Sequence, residues 1–160
     1  MTLRIALSDP DRTRALAAAL ARQLAAGDTV LLYGPVGAGK TEFARAAIQS
    51  LQAACGAPED VPSPTFTLVQ TYDVGGFDLW HADLYRLTML DELYELGLFD
   101  AMDDAVVLVE WPERMGALTP ENALTIRLSL DDGDARVAKL DWTDPKWTVK
   151  TANIMKELDA

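Results

Sequence analysis

The chain has 160 residues, 49% of them hydrophobic and 24% charged, with 14 Lys and Arg against 25 Asp and Glu for a formal net charge of −11. That length fits one domain over residues 1–160, able to bury about two-thirds of its unfolded surface, and no apolar run approaches the roughly 20 residues of a membrane helix, so a cytoplasmic protein with no membrane partner is expected. The acid excess disfavours tight nucleic-acid binding by this chain alone, because such affinity comes from Lys and Arg neutralising phosphates; solubility alone would also favour it.

In chain order, Ser8 and Asp11 make a capping-box-like start, Pro10 suits a first helical turn, and Leu16, Leu20 and Leu24 recur every four residues. A helix over about 9 to 26, ended by Gly27, follows. TVLLY, residues 29–33, is the short apolar run expected of a strand buried on both faces. From Lys40, the spacing of Phe43, Ala44, Ala47, Ile48 and Leu51 predicts a helix to about residue 54. Cys55, the single cysteine, has no disulfide partner and no Cys or His neighbour for a metal site, and is expected as a half-buried small residue behind that helix. The stretch GAPEDVPSP then reads as a mobile loop.

Two β-prone runs, Phe66 to Tyr72 and Phe77 to Leu84, flank DVGG and predict a hairpin. Leu90, Leu93, Tyr94 and Leu98 share one helical face, with Gly97 as the C-cap. AVVLV, residues 105–109, reads as a second central strand, closed by Glu110 and Trp111. Leu124, Ile126, Leu128 and Leu130 alternate, the turn DDGD follows, and Val137 to Trp142 completes another hairpin before a weak helix over 151–158. The expected fold is α/β: a P-loop NTPase-like three-layer domain with a mixed, mostly parallel central sheet and β-hairpins.

GPVGAGKT, residues 34–41, fits G-x-x-x-x-G-K-[ST] and lies where that pattern needs to lie, between an apolar strand and an amphipathic helix. Gly34, Gly37 and Gly39 let backbone N–H groups turn inward, and the helix N-terminus adds partial positive charge toward phosphates. Gly37, Ala38, Gly39, Lys40, Thr41 and Glu42 are the expected nucleotide contacts, with Lys40 bridging phosphate oxygens and the Thr41 hydroxyl on Mg²⁺. An acidic partner for the metal side is sought at a neighbouring strand end. Glu110 is the first candidate and Asp83 the second; a solvated strand end and an exposed acid on an alternating strand are the plainer alternatives. His81 shares a face with Asp83, as a packed histidine or as support for the site. Ser63, Thr65 and Thr67 supply hydroxyls that either order around a γ-phosphate or simply form turns. The sequence has no N-K-x-D guanine-reading element, which favours ATP over GTP, and no arginine-rich lid, which weighs against a small-molecule P-loop kinase. A nucleotide-gated binding module with incidental hydrolysis stays open.

Taken together, GPVGAGKTEF, SPTFTLVQTYD, HADLYRL and LVEWPERM resemble the bacterial TsaE family, the ATPase component of the machinery that makes threonylcarbamoyladenosine in tRNA. The resemblance covers roughly residues 5 to 142, leaving about 143–160 as an unmatched C-terminal tail. It implies ATP and Mg²⁺ as cofactors, Thr41 and Glu110 as metal-side residues, and Lys40, Glu110 and Asp83 as the residues that support hydrolysis. It further implies that residues 63–66 form a switch-like loop, and that Pro10, Trp111 and Arg136 lie around the nucleotide. The implied partners are a TsaD-like transferase and a TsaB-like scaffold, which carry the tRNA, so that this chain meets tRNA only indirectly. The implied activity is a weak, partner-stimulated ATPase that supports repeated turnover of that complex.

Overall fold

The structure is a computed structural model, and it describes residues 1–56 and 60–160. The mobility expected of the 56–64 loop falls partly on residues 57–59, which lie outside the described residues. Seven strands form one sheet: β1 (Thr2–Leu7), β2 (Thr29–Tyr33), β3 (Val69–Asp73), β4 (Asp78–Asp83), β5 (Val106–Glu110), β6 (Leu124–Leu130) and β7 (Arg136–Asp141), in the order β1-β7-β6-β2-β5-β4-β3. The central strands β6, β2, β5 and β4 pair in parallel, and β1 runs the same way across its antiparallel neighbour β7; only β7 and β3 run opposite. The mixed, mostly parallel sheet expected from the sequence is therefore present.

Helices cover both faces. Successive residues of β2 and β5 point to opposite sides, so Val30, Leu32, Val106 and Leu108 join one core with α1 (Pro10–Ala21), α2 (Lys40–Ala54) and α5 (Lys146–Leu158). Leu31, Val107 and Val109 join a second core beneath α3 (Asp91–Leu96), α4 (Leu98–Asp104) and the short 3₁₀ segment Pro112–Leu118. Burial on both faces explains why these strands read as continuous apolar runs.

Several expectations are corrected. Asp9, not Ser8, caps α1, its side chain accepting from Arg12 N at 2.8 Å. That helix ends at Ala21 rather than 26; Leu24 is still buried, so the leucine spacing recorded burial and not helix continuity. Gly27 instead turns the chain into β2 with φ +93°. Gly97 does end a helix in the left-handed region, but α4 begins directly after it, so the expected single face splits: Leu93 and Leu98 are buried while Leu90 and Tyr94 are exposed. The first hairpin strand starts at Val69, because Leu68 has φ +67° and its N–H returns to Pro64 O at 2.7 Å. Cys55 is exposed, not half-buried.

The elements begin before residue 9, with β1 as a sheet edge, and α5 is longer and better anchored than a weak helix. Trp147 is fully buried and its Nε1 donates to Asn122 O at 2.9 Å. Buried Asp28 binds Lys146 at 2.9 Å and also Lys150, fastening α5 to the turn before β2.

Candidate functional site

The loop between β2 and α2 is shaped by glycine for two separate reasons. At Gly34, with φ +150°, an added Cβ would stand 2.5 Å from Leu128 O, so a neighbouring strand forbids a side chain. At Gly37 (φ +84°) and Gly39 (φ +101°) nothing lies within 4 Å, so the requirement is backbone conformation alone. Gly39 is the N-cap residue of α2 and offers no side-chain cap, which leaves the helix's first N–H groups facing the cleft. Lys40 folds back over the loop, donating to Gly34 O at 2.5 Å and Pro35 O at 3.0 Å, and its Nζ lies 4.1 Å above the Trp111 ring. Burial pushes the Lys40 ammonium below the ordinary lysine range, opposed by Glu110, Glu113 and Asp83.

Parallel pairing of β4 with β5 sets Asp83 directly opposite Glu110 at the strand ends. The two carboxylates then take different partners. Glu110 Oε1 accepts from the Thr41 hydroxyl at 2.5 Å, and Oε2 accepts from His81 Nε2 at 2.6 Å in a pair almost wholly shut from solvent. Asp83 Oδ2 accepts from the Thr65 hydroxyl at 3.1 Å and Oδ1 from Tyr85 N at 3.0 Å, while Ser63 and Thr65 pair at 2.7 Å. Glu110 thus ties the second core strand to α2, and Asp83 ties the 63–65 segment to β4.

One cleft of about 900 Å³ collects these groups. Gly37, Ala38, Gly39, Lys40, Thr41, Glu42, Asp83, Glu110 and Trp111 line it, as do Pro10 from the start of α1 and Arg136 from the start of β7. Arg136 reaches across the cleft mouth to Gly37 O at 3.3 Å. Trp111 holds a left-handed backbone (φ 57°, ψ 48°), and its ring meets Tyr85 with centroids 5.0 Å apart. Thr67 is not among the lining residues; it accepts from Gln70 Nε2 at 3.0 Å. His81 lies beneath the cleft, behind Glu110.

Among the lining residues that sequence patterns did not single out are Arg14, Arg45 and Tyr85. Arg14 stands one helical turn beyond Pro10 and Arg45 one turn beyond Thr41, a spacing that places them on the same helix faces. Arg45 also donates to Val61 O at 3.0 Å, holding the segment before Ser63 against α2. Tyr85 had no signal beyond its place two residues after Asp83. Among the described residues no three His, Cys, Asp or Glu side chains converge as a metal centre, so a cation here would take few protein oxygens and draw the rest from a ligand or water.

Comparison with known proteins agrees with this arrangement. The family model described as threonylcarbamoyl adenosine biosynthesis protein TsaE matches residues 7–138. The tRNA threonylcarbamoyladenosine biosynthesis protein TsaE of Rickettsia bellii is 39% identical over 134 residues, covering 84% of this chain and 91% of its own. The protein of the same name from Treponema pallidum is 36% identical over 118 residues, covering 72% of this chain and 84% of its own. The crystal structure of Bacillus subtilis YdiB superposes with a TM-score of 0.78 at 26% identity, over 98% of this chain and 95% of that one. The resemblance in the four motifs extends to most of the sequence and to the whole sheet: this chain belongs to the TsaE family.

Proposed function

We propose that this chain is the ATP-binding, Mg²⁺-dependent ATPase component of tRNA threonylcarbamoyladenosine biosynthesis, acting through a TsaD-like transferase and a TsaB-like scaffold. The observation that carries the reading is the 2.5 Å contact between the Thr41 hydroxyl and Glu110 at the N-terminus of α2, beside a loop whose Gly37 and Gly39 line an open cleft. A hydroxyl and a carboxylate meeting where the helix and the loop offer N–H groups fit a metal-bound phosphate chain.

Bound Mg²⁺·ATP would supply a γ-phosphoryl group open to attack by water and charge neutralisation at its oxygens. The chain's own groups do the rest. N–H groups of residues 37–41 hold phosphate oxygens, and Lys40 exchanges the Gly34 and Pro35 carbonyls for them. Its charge is already desolvated, so the exchange restores strong partners to a group held at a cost. His81 fixes the Glu110 carboxylate so that its other oxygen faces Thr41. Asp83, oriented by Tyr85 N, orients the water and accepts its proton. The partner proteins meet the tRNA, in keeping with the chain's net charge of −11.

Steady-state ATP hydrolysis by wild type and Asp83→Ala, with and without the two partner proteins, tests this. Wild type should hydrolyse ATP slowly alone and faster with partners. Asp83→Ala should keep ATP binding and lose on the order of 10²-fold or more in rate. Equal rates for the two proteins would remove Asp83 from the chemistry.

A further inference from the structure

Beside the cleft large apolar side chains face solvent, and one of them, Tyr85, also lines it. Phe66 is 83% exposed, Met89 61% and Tyr94 58%, with Leu90 and Tyr85 also open. Contacts and chain order connect them. The Arg86 guanidinium lies 4.6 Å over the Phe66 ring, Tyr85 and Arg86 lead into Met89 and Leu90, and Leu90 and Tyr94 stand one helical turn apart. Single exposed apolar residues are ordinary, but a run of this size on one side of a small protein marks an interaction surface.

The residues are also held outward. Glu92 Oε1 accepts from Thr88 N at 3.1 Å, Met89 N at 3.0 Å and the Thr88 hydroxyl at 2.5 Å, and these bonds hold its carboxyl below the usual glutamate range. That cap fixes the turn presenting Met89 and Leu90. Tyr94 is braced from below by Phe99, with ring centroids 4.8 Å apart. A surface fixed in this way loses little side-chain freedom on docking.

Charge indicates what covers it. Asp91 and Glu95, both exposed, form an acidic row directly beside the Leu90–Tyr94 row at the same helical spacing. Apolar and acidic rows side by side complement a segment with apolar and basic rows. A second copy of this chain, itself at −11, would bring the same acidic row with Arg86 as the basic group of the patch, a poorer complement than a basic segment, and RNA phosphates would meet carboxylates.

We infer that Phe66, Tyr85, Met89, Leu90 and Tyr94, flanked by Asp91 and Glu95, form the docking surface for a basic, apolar-faced segment of a partner protein, and that docking bears on Asp83. The second half follows from connectivity. Among the described residues, Thr65, one residue before Phe66, and the backbone of Tyr85 are the donors to the Asp83 carboxylate. A partner pressing on Phe66 and Tyr85 touches both supports of that carboxylate. The inference rests on the partner-dependent reading above and specifies where the partner sits.

Two variants test it against the purified transferase–scaffold complex, with binding measured at low and high salt. One carries Met89→Ser, Leu90→Ser and Tyr94→Ser, the other Asp91→Lys and Glu95→Lys. The first should raise Kd at least tenfold; the second should also weaken binding and flatten its salt dependence. Both should melt cooperatively and bind ATP alone as wild type does. Wild-type binding with both variants within twofold of it would overturn the docking surface and leave the partner-dependent function standing. Absence of binding by wild type itself would overturn both. Self-association of wild type that the triple variant abolishes would replace the basic partner with a second copy and overturn the inference.

Discussion

Lys40 carries a charge that the nucleotide-free fold stabilises poorly. Its pKa is lowered by burial, so the protonated form costs stability at neutral pH, and that cost is relieved as pH rises through the lowered value toward the ordinary lysine range. Lys40→Met should therefore hold or raise Tm at pH 7 without nucleotide, with the difference from wild type shrinking at high pH, while ATP no longer raises Tm; thermal melts across pH check both. Gly34→Ala should act oppositely, losing roughly 1–3 kcal/mol in a denaturant melt, because a Cβ there meets a strand carbonyl at 2.5 Å. Glu110→Ala leaves buried His81 without its carboxylate and should cost about 1–3 kcal/mol together with weaker Mg²⁺-dependent nucleotide binding. At this scale the sequence was informative where a motif fixes spacing: residues 34–41 needed no tertiary information to be paired with a strand and a helix. Glu110 stands out in the sequence as the acidic partner for the Thr41 side of the site, but its direct hydrogen bond to the Thr41 hydroxyl was not legible, since 69 residues separate them and only the parallel register of β2 beside β5 brings the strand end to α2. His81 shows the limit most plainly, because its position on the Asp83 face did not reveal that its nitrogen would meet Glu110.

At the level of elements, the strands buried on both faces announced themselves, while β1 and α4 did not. β1 is a sheet edge with an exposed, partly polar outer row, so its hydrophobic signal is diluted. α4 is seven residues long and follows Gly97 without a linker, leaving no separate periodicity to read. α5 was underestimated because its anchor is tertiary: Trp147 in the core and Asp28, far away in sequence, between Lys146 and Lys150. The family model ends at residue 138, before this helix, yet α5 packs against α1, whose first residue lines the cleft. Trp147→Ala should cost about 3–5 kcal/mol in a urea melt. A loss under about 1 kcal/mol would show α5 to be an appendage.

For the whole molecule, the acidic surface and the cleft complement each other. With 25 acidic against 14 basic residues the chain is poorly suited to bind RNA tightly by itself, while the cleft concentrates its N–H groups and Lys40 where phosphates would bind. The energy of ATP would then act through the elements that hold Asp83 and Glu110, the 63–65 segment and α2. The most direct test of that account is the yield of threonylcarbamoyladenosine-modified tRNA per transferase in a reaction of transferase, scaffold, tRNA and ATP with this protein. Wild type should carry the yield well past one product per transferase, and Lys40→Ala or omission should hold it near one. Equal multi-turnover yields with wild type, with Lys40→Ala and without the protein would contradict the account.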